Sequence, residues 1–294
     1  MNKQIIILGA KPTGLGAAYR LKELEMEPLV SVIVPTYNEQ PNIGHCLKSI
    51  LAQNYKNIEL IVVDNFSRDK TLQIAKKYTN KCYLSGDERS SQRNFGAQKA
   101  KGKYLLFLDA DIQITKNCLT EAIDKIKKGK FIVAFPEIST GQNFWEKSIS
   151  LERSLYQKEK LLAGARLFPK NLFIKLKGYD KTLFAGEDWD ITIRAQNLAF
   201  KLVLTNAPII HKENVRSIKE ILRKKTYYSK NIYLYAQKHP KEFAKQASIA
   251  TRFSVYVKNL PKLLMDPAHT AGFLFLKTLI WYDWQNVRNE KKHT

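Results

Sequence analysis

The sequence predicts an α/β fold built on a mixed, mostly parallel sheet. Three observations carry this. Short β-branched runs recur down the first half of the chain. Helical periodicities lie between them, and acidic residues stand where the runs stop. Alternating strand and helix covers both faces of a sheet, the pattern of parallel α/β architecture. Ligands of such sheets bind beyond the carboxyl ends of the strands, so the acids mark the expected working end.

The elements follow in order. Gln4 to Leu8 reads as a short strand that enters Gly9-Ala-Lys-Pro-Thr-Gly14-Leu-Gly16 and a helical stretch to about Met26; Pro28 closes the unit. Val30 to Val34 is a second strand. Ile43, Leu47, Ile50 and Leu51 share one helical face. Leu60 to Val63 is a strand, and Ser67 is placed to cap a helix carrying Leu72 and Ala75. Tyr104 to Leu108 is a buried strand. Thr115 is placed to cap a helix that turns Leu119, Ile123 and Ile126 inward and stops at Gly129. Phe131 to Phe135 is a further strand. Past Gly141 the alternation weakens, and helical periodicity returns between Ile218 and Gln237. There is no internal repeat and no low-complexity linker.

Composition narrows the classes. The chain has 294 residues, 44% of them hydrophobic, which supports a real core and excludes wholesale disorder. Its length allows one large domain or two small ones. Three widely spaced cysteines, Cys46, Cys82 and Cys118, argue against a disulfide framework or structural zinc and fit a reducing compartment. No run reads as a signal peptide or reaches the length of a membrane span, so a cytoplasmic protein is expected. The net charge is +22. From Lys212 onward there are 17 Lys and Arg against 6 Asp and Glu. Such a surface is either simply solvated or meets nucleic acid, anionic lipid or a phosphorylated substrate. No nucleic-acid motif accompanies the charge, so no nucleic-acid partner is expected, and a basic nucleic-acid-binding protein remains only as a rival.

The acids at strand ends carry the chemistry. Val62-Val63 ends in Asp64, and Leu106-Phe107-Leu108 ends in Asp109-Ala110-Asp111. Two carboxylates at i and i+2 can share one hard cation, Mg²⁺ or Mn²⁺, which readily bridges a diphosphate. Gly186-Glu187-Asp188-Trp189-Asp190 reads either as acids favoured at a helix N-terminus or as a general base.

Taken in order, these segments resemble the family-2 glycosyltransferases of GT-A fold. Val30-Ser-Val-Ile-Val-Pro-Thr-Tyr-Asn-Glu39 is similar to the family's opening strand and loop, and Val62-Val-Asp-Asn-Phe-Ser-Arg-Asp-Lys-Thr71 to its second strand. Gln92-Arg-Asn-Phe-Gly96 looks like the segment ahead of the metal strand. Leu108-Asp-Ala-Asp111 is similar to the DxD motif. Gly178-Tyr-Asp180 with Gly186-Glu-Asp188 looks like the acceptor loop and ED motif. The resemblance spans about residues 29 to 211.

It implies a nucleoside pocket lined by Pro35, Thr36, Tyr37, Glu39 and Asp64, with Arg93 near the diphosphate or nucleoside. Asp109 and Asp111 would hold Mn²⁺ or Mg²⁺ and the donor diphosphate, Asp111 more directly. Asp188 would be the base, and Glu187 would orient it or the acceptor. His211 is either a further metal ligand or an ordinary strand-end histidine. The implied reaction is a single inverting displacement on a UDP- or GDP-linked sugar. A base favours a hydroxyl on a glycan or lipid-linked acceptor over direct transfer to a polyprenyl phosphate, which is the close rival. The Gln-x-x-Arg-Trp motif and membrane spans of processive synthases are missing, so one sugar per encounter is expected.

The ends of the chain are read separately, giving units at 1–28, 29–215 and 216–294. Residues 4 to 24 resemble the opening of a flavin-dependent amine oxidase. Lys11 stands where that loop needs its middle glycine, and no second strand with an acid follows, so intact FAD or NAD binding is not expected. The tail interleaves Arg223, Lys224, Lys225 and Lys230 with Tyr227, Tyr228, Tyr233 and Tyr235. Phe273, Leu274, Leu276, Leu279, Ile280, Trp281 and Trp284 follow. This is either a helix lying on an anionic membrane face or a helical cap on the domain.

Overall fold

The computed structural model describes residues 27–215 and 217–290. The expected flavin-type strand, loop and helix of residues 4–24 lies outside the described residues, as does the side chain of Trp284.

The main sheet has seven strands in the order β3-β2-β1-β4-β8-β6-β9. They are β1 (Val30–Thr36), β2 (Ile58–Asp64), β3 (Cys82–Leu84), β4 (Tyr104–Phe107), β6 (Phe131–Ala134), β8 (Leu167–Pro169) and β9 (Lys201–Leu204). All pairings are parallel except those of β8, which runs antiparallel to β4 and β6. A second sheet, β5 (Ile112–Ile114), β10 (Ile209–Lys212) and β7 (Glu137–Thr140), stands at the carboxyl end of the first. β9 and β10 are thus separate strands in different sheets, parted by Thr205 to Pro208.

Side chains alternate across β1, so each strand feeds two cores. Val32 and Val34 join Leu60, Val62 and Leu106 under helices α1 (Ile43–Leu51) and α4 (Cys118–Ile126). Ile33 joins Ile61, Val63, Leu105 and Phe107 under α3 (Arg89–Lys99) and α7 (Glu187–Asn197). In α1 the inward residues are Ile43, Cys46, Leu47 and Ile50; Leu51 lies outside that set and is exposed. On α3, Gly96 allows close approach, since a Cβ there would lie 3.2 Å from Val63 Cγ2 and still closer to Ile33.

Two expected caps take other roles. Helix α2 (Thr71–Ala75) begins after Lys70 with no side-chain cap, and Ser67 instead bonds Asp64. Thr115 donates to the carbonyl of Pro208 and does not cap α4, which follows Asn117. At Ser67 the nearby Asp64 carboxylate, and at Thr115 a distant backbone carbonyl, takes the hydroxyl instead.

The remaining helices are α5 (Phe144–Leu155), α6 (Lys170–Lys175), α8 (Ile218–Lys238), α9 (Pro240–Ala247), α10 (Ile249–Lys258), α11 (Leu260–Met265) and α12 (Pro267–Glu290). A complete capping box opens α5, with Asn143 and Glu146 each bonding the other's backbone N–H. Phe273 and Leu276 of α12 are buried, against α10 and α11 residues and against Val215 and Ile221 respectively. That part of the tail caps the domain. Among the described residues no helix is long and apolar enough to cross a membrane.

Candidate active site

The carboxyl ends of β1, β2 and β4 open into two adjoining clefts. The first, about 550 Å³, is lined by Pro35, Thr36, Tyr37, Glu39, Asp109, Asp111 and His211. The second, about 570 Å³, is lined by Glu187, Asp188, Trp189, Tyr156 and Arg252. Arg89, Glu137, Arg153, Arg166, Lys225 and Tyr228 belong to both walls.

Three consecutive residues of α3 hold the site together, each tied to a different segment. Gln92 donates to the carbonyls of Thr36 (2.9 Å) and Val63 (2.7 Å), fixing the ends of β1 and β2. Asn94 exchanges two 2.8 Å bonds with the backbone of Tyr179, fixing the Gly178-Tyr179-Asp180 loop. Between them Arg93, 1% exposed, reaches Asp109 at 2.7 Å and both Glu187 and Asp188 at 3.2 Å. One guanidinium thus joins the acid of the first cleft to the pair of the second. Its plane stacks over the Tyr179 ring at 5.1 Å.

Asp109 is consumed by arginines. Arg93 takes Oδ1, and Arg166 takes Oδ2 at 3.1 Å. Burial alone would raise its pKa, but the Arg93 and Arg166 charges outweigh it and hold the carboxyl well below the usual range. Asp111 instead faces His211, Oδ2 to Nε2 at 3.0 Å. The Nδ1 edge of that ring meets Arg153, Glu137 at 3.3 Å and Glu213 at 3.5 Å. The antiparallel pair β5–β10 of the second sheet produces this meeting, because His211 is in register with Ile112.

This donor set fits a hard or borderline divalent ion. A carboxylate and an imidazole converge, and further carboxylates back the second ring nitrogen, the usual support for a metal-ligating histidine. No three acidic, His or Cys side chains among the described residues form a metal cage. A bound ion would complete its sphere from substrate phosphates and water, as Mg²⁺ commonly does.

Asp64 does not line the cleft. It is fully buried and accepts from Thr36 Oγ1 (2.7 Å), Ser67 N (2.8 Å) and Ser67 Oγ (2.6 Å), so it ties the end of β1 to the loop after β2. Glu39 does reach the cleft. Burial raises its pKa, Asn42 offsets this in part, and Asp111 and Asp109 add to the rise. Glu187 is likewise raised, by burial first and then by the charge of Asp188, against Arg93 and Arg89.

The tail helix α8 walls the first cleft, a placement that neither reading of the tail specified. Lys224, Lys225, Tyr227 and Tyr228 line the first cleft, and Arg89 lies over the Tyr228 ring at 5.9 Å. The far end of α8 clamps α7. Asp190 is 0% exposed and meets Arg194 at 2.7 Å, and Lys238 and His239 at 2.8 Å each. Tyr235, also fully buried, packs on Gly186. Gly186 has φ +79°, and a Cβ there would lie 2.7 Å from Tyr235 Cγ. Gly186→Ala should therefore cost about 1–3 kcal/mol through backbone strain plus clash. Denaturant midpoints would read this, and a Tyr235→Ala background should remove only the clash.

The architecture is that of GT-A enzymes. The structure of the mannosyltransferase PcManGT from Pyrobaculum calidifontis, in complex with GDP-Man and Mn²⁺, matches with a TM-score of 0.52 over 92% of this chain and 94% of that one, at 16% identity. S. aureus TarS in complex with UDP-GlcNAc matches at 0.50, over 69% of this chain and 66% of that one, at 23% identity.

The model for glycosyl transferase family 2 matches residues 31–184, and the chain belongs to that family. An uncharacterized glycosyltransferase of Rickettsia typhi is 32% identical over 192 residues, 58% of this chain and 59% of the relative. Glycosyltransferase AglE of Haloferax volcanii is 28% identical over 215 residues, 67% of this chain and 70% of the relative. The chain thus spans about 59% of the length of the Rickettsia relative.

Proposed function

We propose that this protein transfers a sugar from a nucleoside-diphosphate sugar to a hydroxyl group, inverting the anomeric carbon. The observation that carries the reading is Arg93, a buried cation touching Asp109 in one cleft and Asp188 in the next. Donor and acceptor clefts that share such a strut keep a fixed spacing, and positioning is a large part of any displacement.

In this reading the nucleoside lies along Pro35, Thr36, Tyr37 and Glu39, and Lys224 and Lys225 face the diphosphate. Asp111 and His211 would hold Mn²⁺ or Mg²⁺, which when bound supplies charge neutralisation to the departing diphosphate. Asp109 acts through its arginines more than as a ligand. An acceptor hydroxyl in the second cleft gives its proton to Asp188 as its oxygen bonds to the anomeric carbon. The bond from that carbon to the diphosphate breaks, and the diphosphate departs with the electron pair. Trp189 and Tyr156 offer aromatic faces to an acceptor sugar, and Lys225 and Arg252 offer charge to a phosphate carried elsewhere on it. That combination suits a glycan or lipid-linked acceptor. GDP-Man and UDP-GlcNAc are the donors named for two structural neighbours, and both classes belong in the test.

Thermal shift with UDP, GDP and their sugar conjugates, with and without Mn²⁺, tests the reading. A ligand present at about 100 times its Kd stabilises by about 2.7 kcal/mol. One nucleotide series should raise Tm in a Mn²⁺-dependent way, and Asp111→Ala should abolish the Mn²⁺ dependence. An equal response in the variant would remove the metal from the reading. No response to any nucleotide in the wild type would overturn it.

A further inference from the structure

We propose that helices α10 and α11 dock this protein onto an anionic lipid surface. Ile249, Phe253 and Val257 are 84%, 64% and 54% exposed, and Leu264 and Met265 are 69% and 85% exposed. The first three recur at every fourth position and so form one stripe along α10. Val255 of α10 and Leu263 of α11 are buried with Leu155 and Phe273 in one small cluster. The apolar faces opposite them therefore turn away from the domain. Five large apolar side chains facing water on two successive helices mark an interaction site.

Charge identifies the occupant. Lys241 and Lys245 on the preceding α9, Lys258 at the end of α10 and Lys262 on α11 are all exposed, and none forms an ion pair among the described residues. Between residues 241 and 265 the single acid is Glu242. Apolar side chains ringed by lysine are the pattern of helices that lie in the headgroup boundary, where anionic lipid attracts each cation. A second copy of the chain fits poorly, because pairing stripe with stripe would set lysines against lysines. Of the tail residues expected from sequence at an interface, Phe273 and Leu276 are buried, while Leu274 and Trp281 are 48% and 59% exposed; the faces of α10 and α11 lie earlier in the chain. They also adjoin the second cleft, because Arg252, which lines that cleft, immediately precedes Phe253.

The test is flotation of the full chain with vesicles of phosphatidylcholine alone or mixed with phosphatidylglycerol. The variant is Phe253→Glu combined with Leu264→Glu. Wild type should float with the mixed vesicles at low salt, less at high salt, and hardly at all with phosphatidylcholine alone. The variant should bind about tenfold less, while keeping the wild-type Tm and so its fold. Equal flotation of variant and wild type would overturn the proposal, as would failure of the wild type to float. Light scattering that shows a wild-type dimer broken by the variant would reassign the face to a contact between copies.

Discussion

Arg93→Met should lower stability by about 3–5 kcal/mol, the cost of leaving buried charge without its partner. Arg93 is fully buried, and three carboxylates converge on it from α7 and from the end of β4. Methionine replaces the length of the side chain but none of its charge. Asp109 keeps Arg166, whereas Glu187 keeps only Arg89, at 3.7 Å, and Asp188 loses its ion-pair partner. Total stabilities of about 5–15 kcal/mol make this a large fraction. Arg93→Lys should recover only part of the loss, because a point charge cannot address three carboxylates at once as a planar fork does. Urea midpoints of the three proteins would decide. A methionine variant within 1 kcal/mol of wild type would mean that water or movement of α7 compensates the acids.

Asp188→Asn should lower kcat by about 10²–10⁴-fold, the usual worth of a positioned general base. Binding of the donor should not change, because Asp188 lines only the second cleft. Stability should hold as well. The like charge of Asp188 helps raise the pKa of Glu187, so removing it relieves repulsion and offsets the lost contact to Arg93. Retained nucleotide-induced stabilisation with lost turnover would assign the proton transfer to Asp188. Unchanged turnover would pass the role to Glu187, which Glu187→Gln then tests.

How much of this was readable in the chain depends on distance along it. β1, β2 and β4 announce themselves as buried runs, and their terminal acids lie where parallel sheets place ligands. The order of the motifs pointed to the family, and the family model covers residues 31–184 of that stretch, ending just before Glu187 and Asp188. Partnerships across the fold were not readable. Nothing local to Asp64 tells that Thr36 will bond it, or that Arg166, just ahead of the strand antiparallel to β4, will take half of Asp109. His211 could be named, but its meeting with Asp111 depends on the register of a three-residue strand. The tail left its readings open for a plain reason. Lysine and tyrosine suit a membrane surface, a nucleic acid and a diphosphate equally, and only packing sends Lys224 and Tyr228 into the cleft. Exposed Phe253 and Met265 sit in stretches whose helical faces cannot be ranked before the domain beneath them is known.

One consequence follows from α8, whose first half walls the first cleft while its second half grips the helix that bears Asp188. In the proposed reading, donor recognition and base alignment are coupled through this one rod. A hybrid that grafts another family member's tail after residue 215 would need a matching aromatic opposite Gly186 and a matching histidine opposite Asp190 before it could work. Evolution can exchange such a tail only as a set with those two positions. Residues beyond the family-matched stretch therefore constrain the core as tightly as the motifs do.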